Sequence, residues 1–74
     1  MKAYVQYFEV KLDGSVDEAL GSDGYSPLDG RLNIHSMINE AEKPSRNFCN
    51  YDMYEIRRGD FKNYSVIYTK GLRV

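Results

Sequence analysis

Apolar and polar positions alternate along residues 3–12, placing Tyr4, Phe8, Val10 and Leu12 on one side and Ala3, Val5, Tyr7, Glu9 and Lys11 on the other. That period of two predicts a strand with one buried face. Phe8, Val10 and Leu12 are the expected core-facing members, and Asp13-Gly14 ends the strand as a turn pair. Residues 15–30 lack a clear period. Ser15-Val16-Asp17-Glu18 matches a capping box, which predicts a short helix over Val16–Leu20 stopped by Gly21. Ser26-Pro27 could open a second helix, but Asp29-Gly30 interrupts it. From Leu32 to Lys43 the period changes to that of a helix, with Ile34, Met37, Ile38 and Ala41 on one stripe. Pro44 closes it.

Two further alternating runs follow, Asn50–Arg58 and Asn63–Thr69, joined by Arg58-Gly59-Asp60-Phe61-Lys62. A glycine-containing connection of that length predicts a β-hairpin. Both hairpin faces carry apolar groups, so the pattern leaves open which one points inward. The expected fold is α+β: a three-stranded antiparallel sheet with one main helix packed on one face, in the order strand, short helix, helix, strand, strand. Its core would hold Phe8, Val10, Leu12, Ile34, Met37, Ile38 and Ile56, with Ile67 or Val66. The 74 residues make one small domain, 1–74.

Composition narrows the class. Hydrophobic residues at 42% and charged residues at 28% lie in the range of folded globular chains. The start, Met1-Lys2-Ala3-Tyr4-Val5-Gln6, lacks the apolar stretch of a signal peptide, and no run approaches the ~20 apolar residues of a spanning helix. One cysteine allows no internal disulfide, which suits a reducing compartment. The expected location is therefore cytoplasmic, with no membrane partner.

Cys49 and His35 are the only thiol and the only imidazole. They match no nucleophile motif, and together they fall short of the three or four ligands of a zinc site. No catalytic residue, metal or cofactor is expected, and the chain reads as a non-enzymatic protein. The net charge is −1, without the basic excess that phosphate neutralisation favours in nucleic-acid binders. The charge is uneven: residues 1–30 carry six acidic and two basic groups, whereas residues 31–74 carry five and eight. Asp17, Glu18 and Asp23 in the acidic stretch are candidates for steering a basic partner surface.

Seven tyrosines with no tryptophan are the most unusual feature. One helix covers only one face of a sheet, so Val5, Tyr7 and some of Tyr51, Tyr54, Tyr64 and Tyr68 are expected on the uncovered face, where tyrosine commonly serves interfaces; Tyr7, Tyr54 and Tyr64 are the candidate partner-binding tyrosines. Arg57, Arg58 and Lys62 beside these aromatics supply the alternative, a small nucleic-acid-binding module. Arg58-Gly59-Asp60 reads as a hairpin turn. The expected function is binding of another protein or protein complex, with a homodimer as one form and nucleic acid as the lesser alternative. In size and style the chain resembles small accessory proteins of phages and mobile elements, including inhibitors of host defence such as anti-CRISPR and anti-restriction proteins. That resemblance implies an inhibitor acting by binding.

Overall fold

The computed structural model describes residues 2–19, 24–46 and 51–71. These form an α+β domain in which one helix packs on a five-stranded antiparallel sheet. The strands are β1 (Lys2–Val10), β2 (Val16–Glu18), β3 (Tyr25–Asp29), β4 (Met53–Gly59) and β5 (Tyr64–Gly71), with helix α1 (Ile34–Ala41) between β3 and β4. β1 is central. One side of it pairs with β4, which pairs with β5; the other is shared by β2 along Phe8–Val10 and β3 along Lys2–Gln6.

The expected class stands, but three strands become five. The segment read as a short helix is β2. Asp13 Oδ1 accepts from the Ser15 amide at 2.9 Å, Gly14 takes the positive φ of +87° that the turn needs, and Lys11 N–H donates to the Ser15 carbonyl at 2.8 Å. The chain thus folds back as a hairpin, and Glu18 turns its carboxylate to Arg57 rather than to the Ser15 amide. Ser26-Pro27 likewise sits in β3, an edge strand, where proline's missing N–H leaves no gap in a ladder. Gln6, buried in β1, holds this side together, its amide nitrogen reaching the carbonyls of Ala19 at 2.9 Å and Gly24 at 3.0 Å.

α1 is shorter than its apolar stripe suggests. Asn33 caps it, accepting from the Ser36 amide at 2.9 Å, and a 3-10 turn, Pro44–Arg46, follows. Met37 and Ala41 are fully buried, with Ile34 and Ile38 at the margin. Their partners on the sheet are Ala3, Val5, Tyr7, Leu28, Tyr54 and Ile56. The inward face of β1 is therefore the one opposite to that expected. Both faces of residues 3–8 are buried, so alternation could not choose between them. Small Ala3 and Val5 admit the helix, while Tyr4 and Phe8 cover the other side. Val10 is 43% exposed and Leu12 is fully exposed, and neither joins the core.

The β4–β5 hairpin forms as expected. Gly59 adopts φ +124°, and Asp60 and Asn63 exchange backbone hydrogen bonds at 2.9 and 3.3 Å around Phe61-Lys62. Ile56 pairs with Tyr68 and Arg57 with Val66, so Ile67 is one extra residue bulged out of the ladder. Ile67 and Tyr68 both pack toward the helix side as a result.

Candidate interaction surface

The register sorts the predicted residues onto two faces. Tyr7 and Tyr54 lie on the helix face and are fully buried, which corrects their expected place on the uncovered face. The reason is their phenol groups, which find partners inside. Tyr7 donates to the Ala41 carbonyl at 2.7 Å and stacks on Tyr51 at 5.5 Å. Burial pushes its pKa up to about 12, with Arg46 pulling weakly the other way. Tyr54 donates to Glu42 Oε2 at 2.7 Å, and the same oxygen accepts from Lys70 Nζ at 2.8 Å. Burial first, then the Glu42 carboxylate, raise the Tyr54 pKa; the bonds from Lys70 and Tyr54 hold Glu42 below its ordinary value. This trio ties the end of α1 to β4 and β5.

Arg57 is the centre of the opposite, helix-free face. It is 5% exposed, paired across β1 with Tyr4 and across β5 with Val66. Its Nη2 donates to Glu18 Oε1 at 2.7 Å and its Nε to Glu55 Oε1 at 2.9 Å. The guanidinium carbon lies 4.2 Å from the Tyr64 ring centre, 5.5 Å from Phe8 and 5.9 Å from Tyr4. Burial opposes the charge, but the hydrogen bonds that Arg57 donates to Glu18, Tyr4 and Glu55 outweigh it and raise the pKa. A cation satisfied on its polar edge and sandwiched among rings is a brace for the aromatics around it.

Those aromatics form one cluster at the hairpin end of the face. Tyr4 meets Tyr25 at 5.7 Å, Phe61 at 5.1 Å and Tyr64 at 6.3 Å, and Tyr25 meets Phe61 edge-on at 4.5 Å. Beside it runs a groove of about 480 Å³ lined by Tyr4, Tyr25, Pro27 and Phe61, with Lys2, Asp29 and Asp60 among its polar members. Tyr4 is buried, but Phe61 is 58%, Val66 46% and Tyr64 40% exposed. Val10 and Val16, paired with each other at the far end of the same face, are exposed as well.

The acidic stretch is compensated within the chain. Asp17 pairs with Lys11 at 2.7 Å, Glu18 with Arg57, and Asp29 with Arg31 at 3.0 Å; Asp23 lies outside the described residues. The Asp29 pKa falls to about 2, chiefly through the Arg31 hydrogen bonds. The basic candidates do not gather in one place. Arg57 is buried; Arg58 pairs with Ala3 and Ser65 on the helix side, its buried Nε without a hydrogen-bond partner among the described residues; Lys62 stands exposed at the hairpin tip. His35 is exposed on α1, and Cys49 lies outside the described residues.

Tyr64 is thus the one predicted tyrosine at the exposed face. Phe61 stood in the sequence only as an aromatic neighbour of the basic residues, and Val66, one of two expected core members, is exposed because the bulge turns Ile67 inward instead. The period-two spacing of Tyr64 and Val66 was visible, but their exposure depended on which face the helix took. Among the described residues no group of three or more His, Cys, Asp or Glu side chains comes together as a metal site, and no helix is long and apolar enough to cross a membrane. Compared with protein-family models, with the curated proteins and with the solved structures, the chain matches none.

Proposed function

We propose that this protein is a non-enzymatic binding module that engages another protein through the aromatic end of its helix-free sheet face. The observation carrying this reading is that three exposed apolar side chains lie toward one end of one face: Phe61 and Tyr64, both packed against Tyr4, and Val66, two positions from Tyr64 along the same strand, with Phe61 also lining the groove. Clustered exposed apolar groups of this kind mark interaction sites, whereas scattered ones do not. The floor beneath them is held by Arg57 and its two carboxylates, so little ordering is left to be done on binding. An inhibitor of a host defence complex, carried by a phage or mobile element, is the form of this function that the chain's size supports. A nucleic-acid module has weaker support, because Arg57 spends its donors on Glu18 and Glu55 and Lys70 spends its charge on Glu42.

Alanine variants at Phe61 and Tyr64 test the reading. A partner captured by the intact protein should bind each variant with about 1–2 kcal/mol less affinity by calorimetric titration, as interface aromatics do when truncated, with circular dichroism unchanged. Equal affinity in both variants would remove this face from consideration. Steeply salt-dependent binding of mixed DNA or RNA by the intact chain would favour the nucleic-acid reading instead.

A further inference from the structure

All six large apolar side chains that stand exposed among the described residues fall into two groups of three. Phe61, Tyr64 and Val66 lie toward the hairpin end of the helix-free face. Val10, Leu12 and Val16 lie at the other end of β1, where the chain turns back into β2. Tyr4 and Leu12 are eight residues apart, about 27 Å along an extended chain. The two groups differ in shape. Residues 9–18 are exposed throughout, so the β1–β2 hairpin stands out from the body as an arm. Leu12 sits fully exposed at its tip. The tip is ordered before any contact: Lys11 N–H donates to the Ser15 carbonyl at 2.8 Å, Gly14 N–H to the Lys11 carbonyl at 2.9 Å, and Asp13 accepts from the Ser15 amide at 2.9 Å. Tight turns favour Gly, Pro, Asn, Asp and Ser, so folding gives no reason for a leucine there. The aromatic end is concave instead, with its groove of about 480 Å³ lined by Tyr4, Tyr25, Pro27 and Phe61.

Charge differs between the ends as well. Glu9 and Asp17 are directly opposite each other across the arm, a like-charge pair that costs stability. With Asp13 they outnumber the arm's one cation, Lys11, which Asp17 engages at 2.7 Å. Around the groove the balance is reversed: Asp29 is matched by Arg31 at 3.0 Å, and Lys2 and Lys62, the latter next to Phe61, remain against Asp60. From these matched ends we infer that Leu12 of one copy seats in the aromatic groove of the next, its acidic flanks toward Lys2. Tip and groove lie at opposite ends of one strand, so the contact is head-to-tail. Each added copy leaves one tip and one groove open, and copies join into a chain rather than closing as a symmetric pair. The contact uses the aromatic end proposed above for partner binding but does not depend on that partner; the two compete for Phe61.

The test is sedimentation equilibrium on the intact chain and on variants that each lose one side of the contact. The average mass of the intact chain should climb past that of a dimer, without a plateau, as concentration rises to about 1 mM, the weak range suited to a contact well below standard interface size. Leu12→Ser removes the tip and Phe61→Ser the groove wall, and each should weaken self-association at least tenfold, as losing a large apolar contact does. Mixed one to one, the two variants should form a dimer and nothing larger, because the mixture keeps one sound tip and one sound groove. Lys2→Glu leaves the rings in place and reverses the rim charge; it should weaken the contact severalfold, and it stands in for Phe61→Ser if that variant fails to fold. A monomer at every concentration up to about 1 mM overturns the inference. So does a mass that stops at the dimer, or self-association that Leu12→Ser leaves unchanged. An intact chain that stays monomeric while Leu12→Ser weakens binding of a captured partner gives the tip to that partner and sinks the inference too. Unchanged partner affinity in Phe61→Ala would sink the earlier reading alone, and self-association indifferent to Leu12→Ser would sink this one alone.

Discussion

Replacing Arg57 by alanine should destabilise the fold far more than a surface arginine would. The loss has three parts. The bond to Glu55, whose side chain is 21% exposed, is charge-assisted and part-buried, a class worth about 1.5–3 kcal/mol. The bond to Glu18 counts for less, about 0.5 kcal/mol, because that carboxylate is half exposed and returns to water. Contact with the Tyr64 ring at 4.2 Å adds about 0.5–1 kcal/mol, and the buried stem adds packing besides. The three quantified parts come to about 2.5–4.5 kcal/mol. In a domain of this size, 1 kcal/mol moves the melting temperature by about 4–8 °C, so the midpoint of thermal unfolding followed by circular dichroism should drop by roughly 10–36 °C. Arg57→Lys keeps the charge but not the fork, and should lie between the two. Salt should change the difference little, since a buried pair is poorly screened. If Arg57→Ala melted within about 3 °C of the parent, the arginine would be an ordinary surface charge and the brace would not exist.

Other outcomes follow from the same contacts. Tyr7→Phe strips the donor from the Ala41 carbonyl and should cost about 1–2 kcal/mol in urea unfolding, whereas Tyr7→Ala, which opens a cavity, should cost about 3–5. Because burial raises the Tyr7 and Tyr54 pKa values above 10.0, their contribution is complete below pH 10 and lost as pH climbs through their folded values; tyrosinate absorbance should show these two ionising last, together with unfolding. Glu42 works in the other direction. Its depressed pKa stabilises the fold above its ordinary 4.5 and loses that effect as pH falls through the folded value, so Glu42→Gln should flatten the acid limb of a stability–pH curve. Gly59→Ala would set a Cβ 2.4 Å from the Asn63 carbonyl oxygen at φ +124°, and should lower stability by about 2 kcal/mol in the same urea assay.

Local signals carried part of this structure. The helical stripe of Ile34, Met37, Ile38 and Ala41 and the glycine-bearing connection at Gly59 each depend on neighbours a few residues away, and both appear where the sequence puts them. The α+β class follows from those elements. What the tertiary structure decided involves partners far along the chain. Ser15 to Glu18 has the local chemistry of a helix start, yet pairing of Val16 with Val10 and of Glu18 with Arg57 made it a strand. Tyr7 and Tyr54 look like interface residues by type, but acceptors at Ala41 and Glu42 allow their hydroxyls to be buried. The inward face of β1 is the Ala3–Val5–Tyr7 side, which packs with Met37 and Ala41 of the helix, although both faces carry apolar groups. That one choice placed Tyr4 and Phe8 beneath Arg57 and left Phe61, Tyr64 and Val66 exposed. An alternating pattern sorts side chains into two sets, and only the packing of a distant element tells which set is the inside.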